Sequence, residues 1–237
     1  MNRNNFLYLF LFAVFSCSVL NAKPVSCELP QFKASQQDPL KENQILYNGK
    51  VWRNLYYNVK GDQFLFSSEY LNGSLSINGK TYKNLSINYD IYNDEIITPT
   101  NHSSILQMNK EMVDSFTLVF GVKTYSFINI TEDSLAGIKG YVNVLYTGKS
   151  ALYIKYKKEI QLLAVDDKYD LFYRTYKIYF LKHGIVYQIN NKRDLLKLIV
   201  EYKTQIKEFI KKNKLAVTSK VPESFVPVLR YYDSISQ

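Results

Sequence analysis

The sequence predicts an α+β fold that is mostly β: an antiparallel meander sheet, sandwich or open barrel, of about ten strands, followed by two C-terminal amphipathic helices. Three observations carry that expectation. The chain of 237 residues holds 21 Tyr and 14 Phe, side chains that suit half-buried sheet faces. Between 45 and 189 the apolar residues recur every second position, the period of a strand. After 190 the period changes to that of a helix.

Residues 1–22 come before this pattern. Arg3 precedes an apolar run from Phe6 to Phe15, too short to cross a bilayer and fitting the core of a secretory signal, with cleavage expected after Ala22. The competing expectation is lipidation at Cys17, in VFSC, although Phe15 and Ser16 make a poor processing box. Residues 23–44 carry Pro24, Pro30 and Pro39 with few apolar partners and read as an extended leader. With Cys17 removed, Cys27 is left without a partner for an intrachain disulfide, so the fold is expected to stand on its core.

The β segment, 45–189, is clearest in NLSINYDI, where Leu85, Ile87, Tyr89 and Ile91 alternate with Ser86, Asn88 and Asp90. This predicts one face on a core and one in water. SLSI before it repeats the pattern; SFTLVFG, TYSFINI, YVNVLYT, ALYIKYKK, EIQLLAV, DLFYRTYKIYFLK and GIVYQIN continue it. In the final segment, 190–237, Leu195, Ile199, Tyr202, Ile206, Phe209 and Ile210 form one helical stripe. Asn191 suits its N-cap, and Lys211, Lys212 and Lys214 suit its negative end. A second short helix over PESFVPVLRYYDSI is expected to join the first in packing on the sheet.

The phrase NGKVWRNL at 48–55 returns as NGKTYKNL at 78–85. Asn-Gly between alternating segments signals a two-residue hairpin turn that needs positive φ. Gly49 and Gly79 are therefore expected as turn glycines, with Gly148 in YTGKS as a looser third. Meander construction explains the repetition without a duplicated ligand site, since two copies are too few for a solenoid.

The search for chemistry narrows the function classes. His102 and His183 lie far apart beside turn-like residues, without neighbouring Cys, so no metal or cofactor is expected. No GxSxG elbow, phosphate loop or dinucleotide fingerprint occurs. The best local constellation is the acidic set Asp90, Asp94 and Glu95. It is a candidate for calcium or for paired-carboxylate chemistry, set against a plainer role, with Asp90 facing water and Asp94 in a turn. Asp166 and Asp167 read as another turn.

The 30 Lys and Arg against 21 Asp and Glu give a net +9, much of it at 192–220, which favours anionic partners. Export disfavours nucleic acid. Membrane association is expected only through lipidation at Cys17 or through the basic helices.

GKVWRNLYYNVKGDQFLF, YDIYNDEIITP, NKEMVDSF and the closing helix pair resemble exported proteins of the Bacteroidota envelope. The resemblance implies bacterial export, brings no catalytic residues, and gives the sequons at Asn72, Asn84, Asn101 and Asn129 no consequence. The expected function is a non-enzymatic periplasmic or outer-envelope protein binding another envelope component, protein or lipid-like. The alternatives are a secreted hydrolase using the carboxylates and a structural surface protein.

Overall fold

The structure, a computed structural model, describes Leu46 and residues 48–100, 104–131 and 137–236. The expected signal and leader, with Cys17 and Cys27, lie outside these residues, as does His102.

Among the described residues, eleven strands form one open antiparallel sheet. They are β1 (Gly49–Val51), β2 (Leu71–Ile77), β3 (Lys80–Asp90), β4 (Glu95–Pro99), β5 (Ile105–Met108), β6 (Val113–Phe120), β7 (Lys123–Ile130), β8 (Gly140–Thr147), β9 (Ala151–Val165), β10 (Tyr169–Lys182) and β11 (Ile185–Ile189). From β6 to β11 every strand pairs with the next in sequence, as a meander should. The other half is ordered β1-β5-β4-β3-β2, with β2 against β6, leaving β1 and β11 as the edges. The segments ALYIKYKK and EIQLLAV run on as the single strand β9.

The sheet curls strongly. β3 and β9 are separated by four intervening strands, yet the Lys158 amide donates to the Ile91 carbonyl at 3.3 Å. The segment joining β1 to β2 fills the remaining gap. Its Lys60 bridges to Leu171 of β10, and its Phe64 bridges to Asp90 of β3. The hollow of the curl is packed with rings: Phe116 stacks on Phe127 at 4.5 Å, and Tyr89 and Tyr141 meet Phe116 edge-on, each at 5.1 Å. Such pairs add about 0.5–1.5 kcal/mol each to the burial of their area.

Two hairpins, at Asn78-Gly79 and His183-Gly184, turn on a two-residue loop with positive φ at both positions, and the three-residue β9–β10 loop has positive φ at Asp166 and Asp167. Gly49 does not belong to this set, because it lies inside β1 opposite Met108. A Cβ there would come within 2.2 Å of the Gln107 carbonyl oxygen, so Gly49 is required by a close strand approach. Gly148 also lacks a positive φ; its missing side chain makes room for Asp233. The repeated phrase thus has two structures, a short edge strand at 49–51 and a true hairpin at 78–79. Each copy is read by its own neighbours.

The C-terminal segment begins as expected. Asn191 caps α1 (Lys192–Leu198) by accepting the Arg193 and Asp194 amides. The expected single long helix breaks at Ile199, within the β-branched pair Ile199-Val200, and resumes after a 3-10 turn as α2 (Lys203–Lys212). A second 3-10 turn at Pro222–Phe225 leads into α3 (Val226–Ile235). Ile206 and Ile210 of α2, one helical turn apart, are buried with Val228, Leu229 and Tyr232 of α3 against Leu152, Ile178 and Phe180 of the sheet. The next residue along each strand points the other way: Ala151, Tyr153 and Tyr179 join Ile130, Ile138 and Val142 in a core on the opposite face. At β8–β10 the sheet is therefore covered on both sides.

Candidate functional site

The acidic constellation at the β3–β4 turn is divided by the fold into two roles. Asp90 is wholly buried, where alternation predicted a water-facing residue. The outer face of β3 is open as far as Ser86, but beyond it the β1–β2 connection lies across the strand. That connection covers Asn88, whose Nδ2 donates to the Ser67 and Glu69 carbonyls, and it bridges at Asp90. One Asp90 oxygen accepts the Tyr92 and Asn93 amides, each at 2.9 Å, and the other accepts Asn93 Nδ2 at 2.9 Å. Burial raises the Asp90 pKa above the ordinary carboxylate range, although these bonds and the charge of Lys158 pull it down. Its role is to shape the turn.

Asp94 sits at the end of that turn with a φ of 62°, which swings its side chain inward. Oδ1 accepts the Tyr89 hydroxyl at 2.5 Å, while Oδ2 accepts Lys155 Nζ at 2.8 Å and the Lys110 ammonium. Burial pushes the Asp94 carboxyl up, but the two ammonium groups outweigh it and hold the pKa below its usual value. Lys155, also donating to the Tyr141 carbonyl at 3.0 Å, has its pKa lowered by burial, an effect Asp94 partly offsets. Tyr89 is pushed well above its usual pKa by burial and then by the Asp94 charge.

Backbone elements hold these groups in place. Lys110 opens a 3-10 turn, Lys110–Met112, capped by Asn109. Asn129 of β7 donates to the Lys110 carbonyl at 2.9 Å and to the Val113 carbonyl at 3.0 Å, fixing both ends of that turn. Gly140 is the tightest requirement: its φ is +81°, and a Cβ there would stand 1.9 Å from Asp94 Oδ2 and 2.8 Å from Lys110 Nζ.

Each lysine of the trio opens onto a separate cleft. Lys110 joins Lys50, Lys139, Glu111 and the amide side chains of Asn48, Gln107, Asn109 and Asn129 around a cleft of about 700 Å³ between the β1–β5 edge and the start of β8. Lys155 joins Lys139, Lys157, Lys177 and Glu159 around one of about 260 Å³ on the other side of 137–139. The two clefts together present six lysines and two carboxylates. A third cleft, about 370 Å³, lies beyond β1 and contains Trp52, Arg53, Tyr56, Asn93 and Glu95. Glu95 is raised in pKa by burial and by the Asp90 charge.

The chain matches no protein-family model, no curated protein and no solved structure. Its own geometry therefore has to carry the functional reading.

That geometry leaves little for carboxylate chemistry at this turn. Asp90 is satisfied by three turn donors, and Asp94 by a hydroxyl and two ammonium groups. Neither is a free base beside a cleft. Among the described residues, no three His, Cys, Asp or Glu side chains gather as a metal-binding group. His183 is exposed in the β10–β11 turn.

Lys110, Lys155 and Gly140 are the site residues that sequence reasoning missed. Lys155 did carry a signal, because it shares a strand face with Ala151 and Tyr153, both buried. A lysine on a buried stripe demands an acidic partner. Nothing local to Lys110 or Gly140 marks them: Lys110 falls opposite Asp94 when the antiparallel β4–β5 register is continued past Ile97–Gln107, and Gly140 reaches Asp94 through the curl of the sheet.

Proposed function

We propose that this protein is a non-enzymatic component of a bacterial cell envelope, exported to the periplasm or outer envelope, that binds an anionic, polar envelope component. The observation that carries this reading is the ring of Lys50, Lys110 and Lys139 around the cleft of about 700 Å³. Lys110 is pinned by Asp94 and presented rather than left to wander, which lowers the entropy lost when it meets a ligand. The four amide side chains of the same cleft supply donors and acceptors for hydroxyl or phosphate oxygens.

The filled interior supports a polar ligand over a lipid tail. Tyr89, Phe116, Phe127 and Tyr141 occupy the hollow of the curl, and the two clefts flanking 137–139 open at lysine-bearing surfaces. The +9 net charge favours encounter with anions in the same direction.

The test is native mass spectrometry of the protein purified from a bacterial envelope fraction. Parent protein should retain an anionic component, and the double variant Lys50→Glu, Lys110→Gln should release it while melting cooperatively. Retention by that folded variant, or a parent recovered bare from repeated preparations, overturns the proposal.

A further inference from the structure

The C-terminal helices carry a second cationic surface, remote in sequence from the Asp94 cluster. Residues 192–220 hold nine Lys or Arg against three Asp or Glu, an excess of six that makes up two thirds of the chain's +9. Four of these lysines surround one concave spot. Lys192 comes from the start of α1, Lys207 and Lys211 from α2, and Lys214 from the turn that follows. The cleft is about 430 Å³ and is floored by Leu196, Ile210 and Leu215.

None of the four lysines pairs with a carboxylate of the described residues. Two of the nearby acids are engaged elsewhere, and Glu208, beside Lys207 on α2, makes no ion pair with any of the four lysines. Asp194 accepts the Asn190 amide and Asn191 Nδ2, and Glu201 binds Lys182. The negative end of α2 explains a lysine at 211 or 214 by itself. It does not explain Lys192, which stands at the opposite end of another helix, or an aliphatic floor beneath all four.

Charge complementarity and the floor together specify an occupant. Ammonium groups around the rim suit a phosphate, and the aliphatic base suits the glycerol and first methylenes beside it. We propose that α1, α2 and the turn after α2 form a headgroup site by which the protein rests on an anionic phospholipid membrane. This reading concerns a different face from the lysine-ringed cleft near Asp94 and does not depend on what that cleft binds.

Purified protein is sedimented with vesicles of phosphatidylcholine alone or with phosphatidylglycerol added, and inorganic phosphate is tested separately by thermal shift. Binding should require phosphatidylglycerol and weaken with salt. Lys207→Gln with Lys211→Gln should reduce partitioning roughly fivefold per lysine. Both side chains are exposed, so the melting temperature should stay at the parent value. A charge-matched control, Lys83→Gln with Lys168→Gln on exposed positions far along the chain, should bind nearly as the parent does. Equal loss in the control, unchanged binding by the Lys207, Lys211 variant, or stabilisation by inorganic phosphate without vesicle binding would each overturn the proposal.

Discussion

The carboxylate of Asp94, the last residue before β4, accepts the ammonium of Lys155, in the first half of β9, at 2.8 Å. The two strands are not neighbours in the sheet; the curl alone brings them together. Removing the acid leaves Lys155 and Lys110 partly buried without their counter-charge. Asp94→Asn should cost about 3 kcal/mol, at the lower edge for a broken buried pair because about a fifth of each side chain remains exposed. Urea unfolding measures this, and a loss below about 0.5 kcal/mol would place the trio among ordinary surface ion pairs.

The same contact sets a pH dependence. The folded-state pKa of Asp94 lies below its ordinary value of about 3.9. Its contribution is therefore complete above the unfolded pKa and is lost as pH falls through the folded one. Asp90 and Glu95 are shifted the other way, but both are common to parent and variant. The stability gap between parent and Asp94→Asn should hold from pH 7 to about 5 and close below about 4. A gap that widened on acidification would refute the assignment.

Gly49 and Gly79 separate two reasons for glycine. At Gly79, with φ +77° and no neighbouring atom within 4 Å of where a Cβ would stand, Ala should cost about 1–2 kcal/mol of backbone strain and leave the hairpin formed. At Gly49, Ala meets the Gln107 carbonyl, so β1 should leave β5. Hydrogen exchange reads the difference: the Trp52 amide, bonded to the Ile105 carbonyl at 2.8 Å, should lose protection in Gly49→Ala and keep it in Gly79→Ala.

Asp233 ties the last helix to the sheet. Its Oδ2 accepts the Tyr146 hydroxyl at 2.9 Å and the Ser150 amide at 3.0 Å, in the space that Gly148 leaves open. Asp233→Ala should cost about 2 kcal/mol, mainly through the orphaned Ser150 amide. Limited proteolysis should then cleave the C-terminal segment before the sheet; uniform cleavage would show that the helix is held by its apolar face alone.

That apolar face has its own test. Ile206 is wholly buried between the helices and the sheet, and Ile206→Ala should cost about 2–5 kcal/mol in thermal or urea unfolding. A smaller loss would mean that the site collapses around the missing methyl and methylene groups.

Much of this architecture is written locally. The meander from β6 to β11, the Asn78-Gly79 turn, the Asn191 cap and the Ile206–Ile210 stripe each follow from residues a few positions apart. Local signals misled where they met a distant neighbour. Asn48-Gly49 has the spelling of a turn, yet Gly49 pairs with Met108. Asp90 alternates as an outward residue, yet a connection from earlier in the chain lies over it. The acidic cluster is visible in the sequence, but its lysine partners are out of sight there.

Period two and period 3.6 are properties of the chain, so the sequence by itself determined most of the strands, where strand gives way to helix, and which residues of a regular segment share a face. It could not determine what covers a face, because that depends on contacts whose separations no periodicity records. Lys110, 16 positions away, falls opposite Asp94 when the β4–β5 register is continued, but the tertiary structure alone decided that Asp94 would also meet Lys155, 61 positions away. The physical reason is the curl. It carries β9 back to the end of β3 and converts a solvated turn acid into the buried counter-charge of two lysines that open onto separate clefts.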